Sequence, residues 1–272
     1  MRTVTDFQCF EISVDDSVGH LRLNRGDKRN AMNPAFFEEL PRAVEALAHD
    51  SDVRAIVLYS NTKDFTVGLD LKESILHFEK GSVAKSARSM YDRVRQLQRS
   101  FSILSEIDQP TIAIPTGYCI GGGIDLIAAC DIRYASSDTI FSIREAKIAI
   151  VADLGTLQRL PSIISRGDLA ELALSGDDFS AEYAREIRLV SKVLSDRKGA
   201  IDAGVALAKR IAENSPLATG GTKDILRSVY DKDLRANLDR IALWNSAFIR
   251  SNDLSEAMSA FVERRPPKFS GE

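Results

Sequence analysis

Residues 117–126 carry the strongest indication of architecture and read Gly117-Tyr118-Cys119-Ile120-Gly121-Gly122-Gly123-Ile124-Asp125-Leu126. The apolar run at 112–114 before them is typical of a strand, and residues 124–130 are typical of a helix. The three glycines therefore stand at a helix N-terminus, where unpaired N–H groups and the positive end of the helix dipole attract an oxygen atom. Alternatively, the turn only packs a helix against a strand.

A second turn of the same kind lies upstream. Val67-Gly68-Leu69-Asp70-Leu71 aligns with residues 122–126, and apolar strands precede both turns, at 56–58 and 112–114. The repeat predicts two strand–turn–helix units of one design. A backbone N–H of Val67 or Gly68 would then join the glycine run in binding one carbonyl oxygen, as in an oxyanion hole.

The rest of the pattern predicts an α/β core followed by helices. Asn33-Pro34 predicts a capped helix start, and an apolar stripe makes 73–106 largely helical. Only helices are predicted from residue 199 onward. We therefore divide the chain into a layered core, 1–197, and a helical region, 198–272, which must pack on the core, a neighbouring subunit, or both. Further strands are predicted at 10–14, 19–23, 55–59, 132–135, 139–142 and 190–193.

Composition excludes several classes of function. The chain has 272 residues, 44% of them hydrophobic and 28% charged, with a net charge of −3. This balance argues against nucleic-acid and membrane-surface binding as the main role. Cys9, Cys119 and Cys130 form no CxxC pair and are expected to be reduced thiols. Residues 1–6 lack a signal-peptide pattern and 269–272 lack a peroxisomal address, so we expect a cytoplasmic protein.

Three acids in one window are the best candidates for chemistry: Asp125, Glu145 and Asp153. Grouped carboxyl groups with few cationic neighbours suit proton transfer at carbon. Each also has a structural alternative. Asp125 could complement the helix dipole, Glu145 could pair with Arg144, and Asp153 could cap the following helix. Because Asp153 lies in an apolar segment, we favour a functional acid with a raised pKa.

Residues 117–126, with Phe65-Thr66-Val67-Gly68-Leu69-Asp70-Leu71, resemble the enoyl-CoA hydratase/isomerase (crotonase) superfamily. Within it, residues 130–134 and 152–161 look most like the Δ3,5-Δ2,4-dienoyl-CoA isomerases. The resemblance covers nearly the whole chain. It implies an α/β fold, a crotonase-like spiral of ββα repeats with a C-terminal helical trimerisation region. It also implies a homo-oligomer, commonly a dimer of trimers, that is, a hexamer.

The resemblance also assigns roles to residues. The backbone N–H groups of Val67 and Gly122 would hold the thioester oxygen, and Val67 is bulkier than the residue usual there. Asp125 and Glu145 match two acids of the family. Asp153 matches the extra acid of the dienoyl isomerases, where hydratases usually carry glycine.

Coenzyme A would contact residues near both ends of the chain. Arg25, Lys28 and Arg29 are cations suited to its phosphates and adenine, unless they are only solvated surface charges. By resemblance, Phe261 and Lys268 would complete the adenine end from a neighbouring subunit.

These assignments predict isomerisation of 3,5-dienoyl-CoA to 2,4-dienoyl-CoA in fatty-acid β-oxidation. The reaction removes a proton at C2 and delivers one at C6, so two acids are needed. We assign Glu145 to C2 and Asp153 to C6, an order that could be reversed, with Asp125 tuning the pair. Neither metal nor redox cofactor is required, since CoA is part of the substrate. The alternatives are 2-enoyl-CoA hydration and a non-catalytic acyl-CoA- or RNA-binding protein.

Overall fold

A computed structural model describes residues 2–4, 6–73, 82–230, 233–248 and 250–270. Its strands are β1 (Arg2–Val4), β2 (Phe10–Asp15), β3 (Val18–Leu23), β4 (Ala55–Ser60), β5 (Thr111–Ala113), β6 (Tyr118–Ile120), β7 (Ile132–Ser136), β8 (Ile140–Ser142), β9 (Asp178–Ser180) and β10 (Lys192–Leu194). Its helices are α1 (Pro34–Ala48), α2 (Val83–Glu106), α3 (Gly122–Ala128), α4 (Thr156–Arg159), α5 (Arg166–Ser175), α6 (Ala181–Glu186), α7 (Arg197–Ala212), α8 (Pro216–Tyr230), α9 (Leu234–Phe248) and α10 (Asn252–Glu263).

The strands form two sheets. The larger is seven-stranded, in the order β1-β2-β3-β4-β5-β7-β10, and the smaller is three-stranded, in the order β6-β8-β9. From β3 onward the large sheet is parallel. Successive turns of the chain place one strand in each sheet and then a helix, as in β5-β6-α3 and β7-β8-α4. This arrangement confirms the predicted spiral of ββα repeats.

Local signals fixed the first elements as expected. Asp16 and Ser17 have positive φ angles of 49° and 61°, which suits the tight turn of the β2-β3 hairpin. Asn33 caps α1 by accepting the N–H of Phe36 at 3.1 Å, and Pro34 is its first residue. Every residue of β4 is buried, in agreement with its unbroken apolar sequence.

The first glycine turn differs from the second, because residues 69–73 after it are not helical. The Met32 N–H donates to the carbonyl of Gly68 at 2.8 Å, and the Asp70 N–H donates to the carbonyl of Met32 at 2.9 Å. This pairing forms an isolated parallel bridge between Met32 and Leu69, and bends continue to Glu73. The predicted helix in 73–106 is confirmed over α2, whereas 74–81 lie outside the described residues.

The helical region packs on the core of the same chain. A Cβ atom at Gly204 of α7 would lie 2.3 Å from Cδ1 of Ile114, so this helix approaches the large sheet closely. α9 packs along α2. In the described part of 198–270 the regular elements are helices, as predicted, and none of the described helices could span a membrane. The boundary at residue 197 stays a prediction.

Candidate active site

The two glycine turns lie against each other. Gly68 has a φ of +82°, and a Cβ atom there would lie 2.8 Å from the Ile120 carbonyl and 3.6 Å from the Gly122 nitrogen. Only glycine tolerates this conformation and this close approach. Gly122 is the first residue of α3, so its N–H has no acceptor within the helix. The Val67 N–H makes a long bond of 3.3 Å to the Arg29 carbonyl. The structure thus brings both predicted donor segments together.

Asp125 lies one turn into α3 and is 1% exposed. Its Oδ1 accepts the N–H of Thr156 at 2.6 Å, so the first turn of α4 faces this carboxyl. Burial raises the pKa of Asp125 to about 6, although hydrogen bonds from Thr156 and the charge of Arg159 oppose the rise. Asp125 therefore holds the start of α4, the capping role that was considered for Asp153.

Glu145 begins a 3-10 turn, Glu145–Ile148, directly after β8. Its Oε1 lies 3.3 Å from the position of a Cβ atom on Gly121, beside the glycine turn, and its Oε2 is buried without a hydrogen bond. The cation next to it, Arg144, pairs with Asp178 instead. Burial, then the charge of Asp125, and then that of Asp153 raise the pKa of Glu145 to about 8.

Asp153 lies in the loop before α4 and is held by the C-terminal region. Its Oδ2 accepts the side-chain amide of Asn245 at 2.7 Å, and its backbone carbonyl accepts that of Gln98 at 2.8 Å. Burial raises the pKa of Asp153 to about 7; the Asn245 hydrogen bond opposes this rise and the charge of Asp125 adds to it. The described partner of this carboxyl group is a neutral amide and not a cation, so the carboxyl group can still gain or lose a proton.

The three carboxyl groups form one interacting set. The charge of Asp125 raises the pKa of Glu145 and of Asp153, so protons are shared among them near neutral pH. Such a set can present one ionised base and one neutral donor at the same time.

An apolar groove of about 380 Å³ borders Glu145 and suits an apolar ligand chain; its lining includes Ile143, Ile150, Val151, Leu157 and Leu169.

A second cleft, of about 600 Å³, borders the first glycine turn, and its lining mixes charged and apolar residues, among them Lys28, Arg29, Val67 and Tyr118. Arg29 pairs with Asp64 at 2.7 Å and lies over the Tyr118 ring, with 53% of its side chain exposed. Among the described residues that line this cleft, Lys28 and Arg29 occur but Arg25 does not.

Arg25 is placed differently from the expectation. Its guanidinium pairs with Asp70 and Glu73 and also donates to the Ala31 carbonyl. Its side chain is 13% exposed, and its guanidinium binds these groups of the protein itself. The expectation of a direct phosphate contact overlooked Asp70 and Glu73, which are distant in sequence.

The two predicted adenine contacts also differ in position. Phe261 of α10 lines the cleft of its own chain and is 49% exposed, whereas a neighbouring subunit was expected to supply it. The backbone N–H of Lys268 donates to Glu256 at 2.8 Å, and its side chain is not among the described lining residues. In the described part of the chain, no cluster of His, Cys, Asp and Glu could hold a metal ion.

Sequence reasoning missed Asn245 and Gln98, the amides that hold the Asp153 loop. Neither lies in a recognisable motif. Both are polar residues within amphipathic helices, and only the packing of α9 along α2 brings them to the acids.

Comparison with known proteins agrees with this geometry. The family model for enoyl-CoA hydratase/isomerase matches residues 13–272. A peroxisomal Delta(3,5)-Delta(2,4)-dienoyl-CoA isomerase of Arabidopsis thaliana is 41% identical over 98% of this chain and 99% of its own length. A mitochondrial protein of the same name from Dictyostelium discoideum is 39% identical over 98% of this chain and 92% of its own length.

Solved structures agree on the fold. An enoyl-CoA hydratase/isomerase from Pseudoalteromonas atlantica superposes with a TM-score of 0.84 at 24% identity, covering 97% of this chain and 100% of its own. The predicted resemblance is confirmed, as is the prediction of an enzyme of this class. The chain belongs to the enoyl-CoA hydratase/isomerase family.

Proposed function

We propose that the chain isomerises 3,5-dienoyl-CoA to 2,4-dienoyl-CoA. The observation that carries this proposal is the third acid: Asp153 is bound by a neutral amide and interacts with Asp125 and Glu145. The names of the Arabidopsis and Dictyostelium relatives support the same substrate class. Holding several acids together away from water costs free energy, and a role in proton transfer would account for such a cluster.

The proposed reaction is a proton transfer along a conjugated system. The N–H groups of Val67 and Gly122 bind the thioester oxygen, and Glu145 takes the C2 proton to give a trienolate, with C1=C2, C3=C4 and C5=C6 in conjugation. The electrons shift so that C2=C3 and C4=C5 form, and C6 receives a proton from Asp153. Atoms balance without any further reactant. Glu145 borders the glycine turn, which supports its assignment to the carbon next to the thioester. The reactive form is then the one with the shared proton on Asp153, although the higher pKa of Glu145, about 8 against about 7, favours the proton on Glu145 at rest.

CoA enters this scheme as part of the substrate. We place its phosphates near Lys28 and Arg29 and its adenine near Phe261, with Arg25 shaping the cleft through Asp70. A homotrimer or hexamer built through 198–272, a role for Lys268 at the adenine end, a place in β-oxidation and a cytoplasmic location stay predictions. The relatives named above are peroxisomal and mitochondrial proteins.

Hydration of 2-enoyl-CoA is the second candidate. It would need Asp125 and Glu145 to bind one water molecule. Because Oδ1 of Asp125 already accepts the Thr156 N–H at 2.6 Å, that site is poorly prepared for water. A non-catalytic protein of this fold would have little reason to keep three acids with raised pKa values, one of them buried and two half-buried.

An Asp153→Asn variant tests the proposal. We expect the wild type to convert 3,5-dienoyl-CoA with growth of conjugated-diene absorbance, and the variant to lose about a thousandfold in rate because no proton can be supplied at C6. Any hydration of crotonyl-CoA should be retained. The exposed Asp52→Asn is the matched control. Equal, modest losses on both substrates would refute the assignment, and rapid hydration without isomerisation would favour the hydratase.

A further inference from the structure

Asn245 makes two hydrogen bonds that fix how its amide is turned. Its Nδ2 donates to Oδ2 of Asp153 at 2.7 Å and to the carbonyl of Val151 at 2.9 Å. A backbone carbonyl can only accept, so the nitrogen and not the oxygen must face this loop. Both N–H groups are then used. Asn245 is 3% exposed, and it can act toward Asp153 only as a donor.

Gln98 holds the same loop by a different contact. Its Nε2 donates to the backbone carbonyl of Asp153 at 2.8 Å and to that of Leu238 on α9 at 3.0 Å. One amide thus binds the main chain of residue 153 and the other binds its carboxyl. Gln98 therefore only holds the backbone of this loop, whereas Asn245 also acts on the carboxyl group of Asp153, which carries the proton.

The surroundings of Asp153 make this donor important. The acids of the set, Asp125 and Glu145, disfavour a negative charge on Asp153. The nearby cation of α4, Arg159, binds Ser102 and the Leu154 carbonyl. On α2 and α9, Arg95 and Asp239 pair with each other. The described hydrogen bond to the carboxyl of Asp153 therefore comes from a neutral side chain, which favours the ionised form of the acid.

We propose that Asn245 is a positioning residue for the isomerisation, which stabilises the carboxylate that Asp153 becomes when it delivers its proton. The inference rests on the proposed function and deepens it. Without this donor, a half-buried Asp153 beside two other acids would hold its proton too tightly to release it. The helical region, through α9, is then part of the active site and not only a surface for assembly.

The pH dependence of isomerisation tests this role. Activity needs a single proton on the pair Glu145 and Asp153. When both carboxyl groups are protonated there is no base, and when both are ionised there is no proton donor. Asn245→Leu destabilises the Asp153 carboxylate, so the pH optimum should move up by about one unit. The maximal rate should fall about tenfold. Gln98→Leu is the matched control, since it loosens the loop but leaves the carboxyl bond. Its optimum should stay in place even if its thermal stability falls.

Asn245→Asp gives a second test that preserves size. It replaces the donor by another acid, so the optimum should move up at least as far as in Asn245→Leu. If folded Asn245 variants keep the wild-type optimum, the amide is only structural and the inference is overturned. Failure of both variants to fold would overturn it as well. A wild type without isomerase activity would instead refute the proposed function, which keeps the two failures distinguishable.

Discussion

The two glycine turns share a sequence pattern, yet the aspartates that follow them differ in state. Asp70 accepts a hydrogen bond from Arg25 at 2.7 Å and from the N–H groups of Lys72 and Glu73 at 3.1 Å. Burial opposes its ionisation, but these contacts outweigh burial and lower its pKa. Asp125 is buried as well, and there the cost of burial prevails and raises the pKa to about 6.

The difference shows that a partner supplied from elsewhere in the chain decides what an acid can do. The segment after the first turn pairs with Met32, which leaves Asp70 close to Arg25. The second turn starts a helix, which points Asp125 at Thr156. A neutralised aspartate stabilises the fold, whereas an aspartate without a paired cation is available for proton chemistry.

Among tests of the two turns, the largest expected effect comes from removing the charge at the second turn. Asp125→Asn should lower the rate of isomerisation about a hundredfold. Because the charge of Asp125 raises the pKa of Glu145 and Asp153, its loss should move the pH optimum down, opposite to Asn245→Leu. The measurement is a pH–rate profile. Asp70→Asn is the control, with an unmoved optimum. An upward or absent shift in Asp125→Asn would contradict the role given to its charge.

The acids were predictable because the signals are local. Asp125, Glu145 and Asp153 lie in one window of the sequence, and an acid in an apolar segment implies a raised pKa. Asn245 and Gln98 were not predictable. Nothing around them distinguishes a site residue from an ordinary polar residue of a helix, and their contacts depend on how distant helices pack.

The same limit applies to the fold. Strands and capped helices followed from periodicity and from residues such as Asn33, which act on their immediate neighbours. The non-helical course of the segment just after Gly68 was not predictable, because it depends on backbone bonds to Met32, far upstream. The ion pairs of Arg25 were not predictable either, because its partners Asp70 and Glu73 are equally distant in sequence.

A smaller effect is expected on stability at the first turn. Asp70→Asn should lower the free energy of unfolding by about 2 kcal/mol, since it removes the charge that pairs with the largely buried Arg25. Urea unfolding near neutral pH measures this loss. The exposed Asp52→Asn should change stability by less than about 0.5 kcal/mol. If Asp70→Asn is as stable as that control, Glu73 and Ala31 suffice to bind Arg25, and the two aspartates differ less than their contacts indicate.

The smallest effect is the pH dependence of stability, which should have opposite signs at the two turns. The pKa of Asp125 is raised to about 6, so the folded state favours its proton. Its contribution to stability is full below the unfolded value of about 3.9 and is lost as pH rises through 6. The pKa of Asp70 is lowered, so its contribution is present above about 3.9 and is lost in acid.

Asp125→Asn should therefore be more stable than the wild type by about 1 kcal/mol at about pH 8, and should lose this advantage near pH 4. Asp70→Asn should be less stable at about pH 8 and should approach the wild type only in acid. Urea unfolding of the three proteins at both pH values measures both slopes. Parallel curves would mean that Asp125 finds a compensating partner in solution. Its charge could then no longer explain the raised pKa values of Glu145 and Asp153.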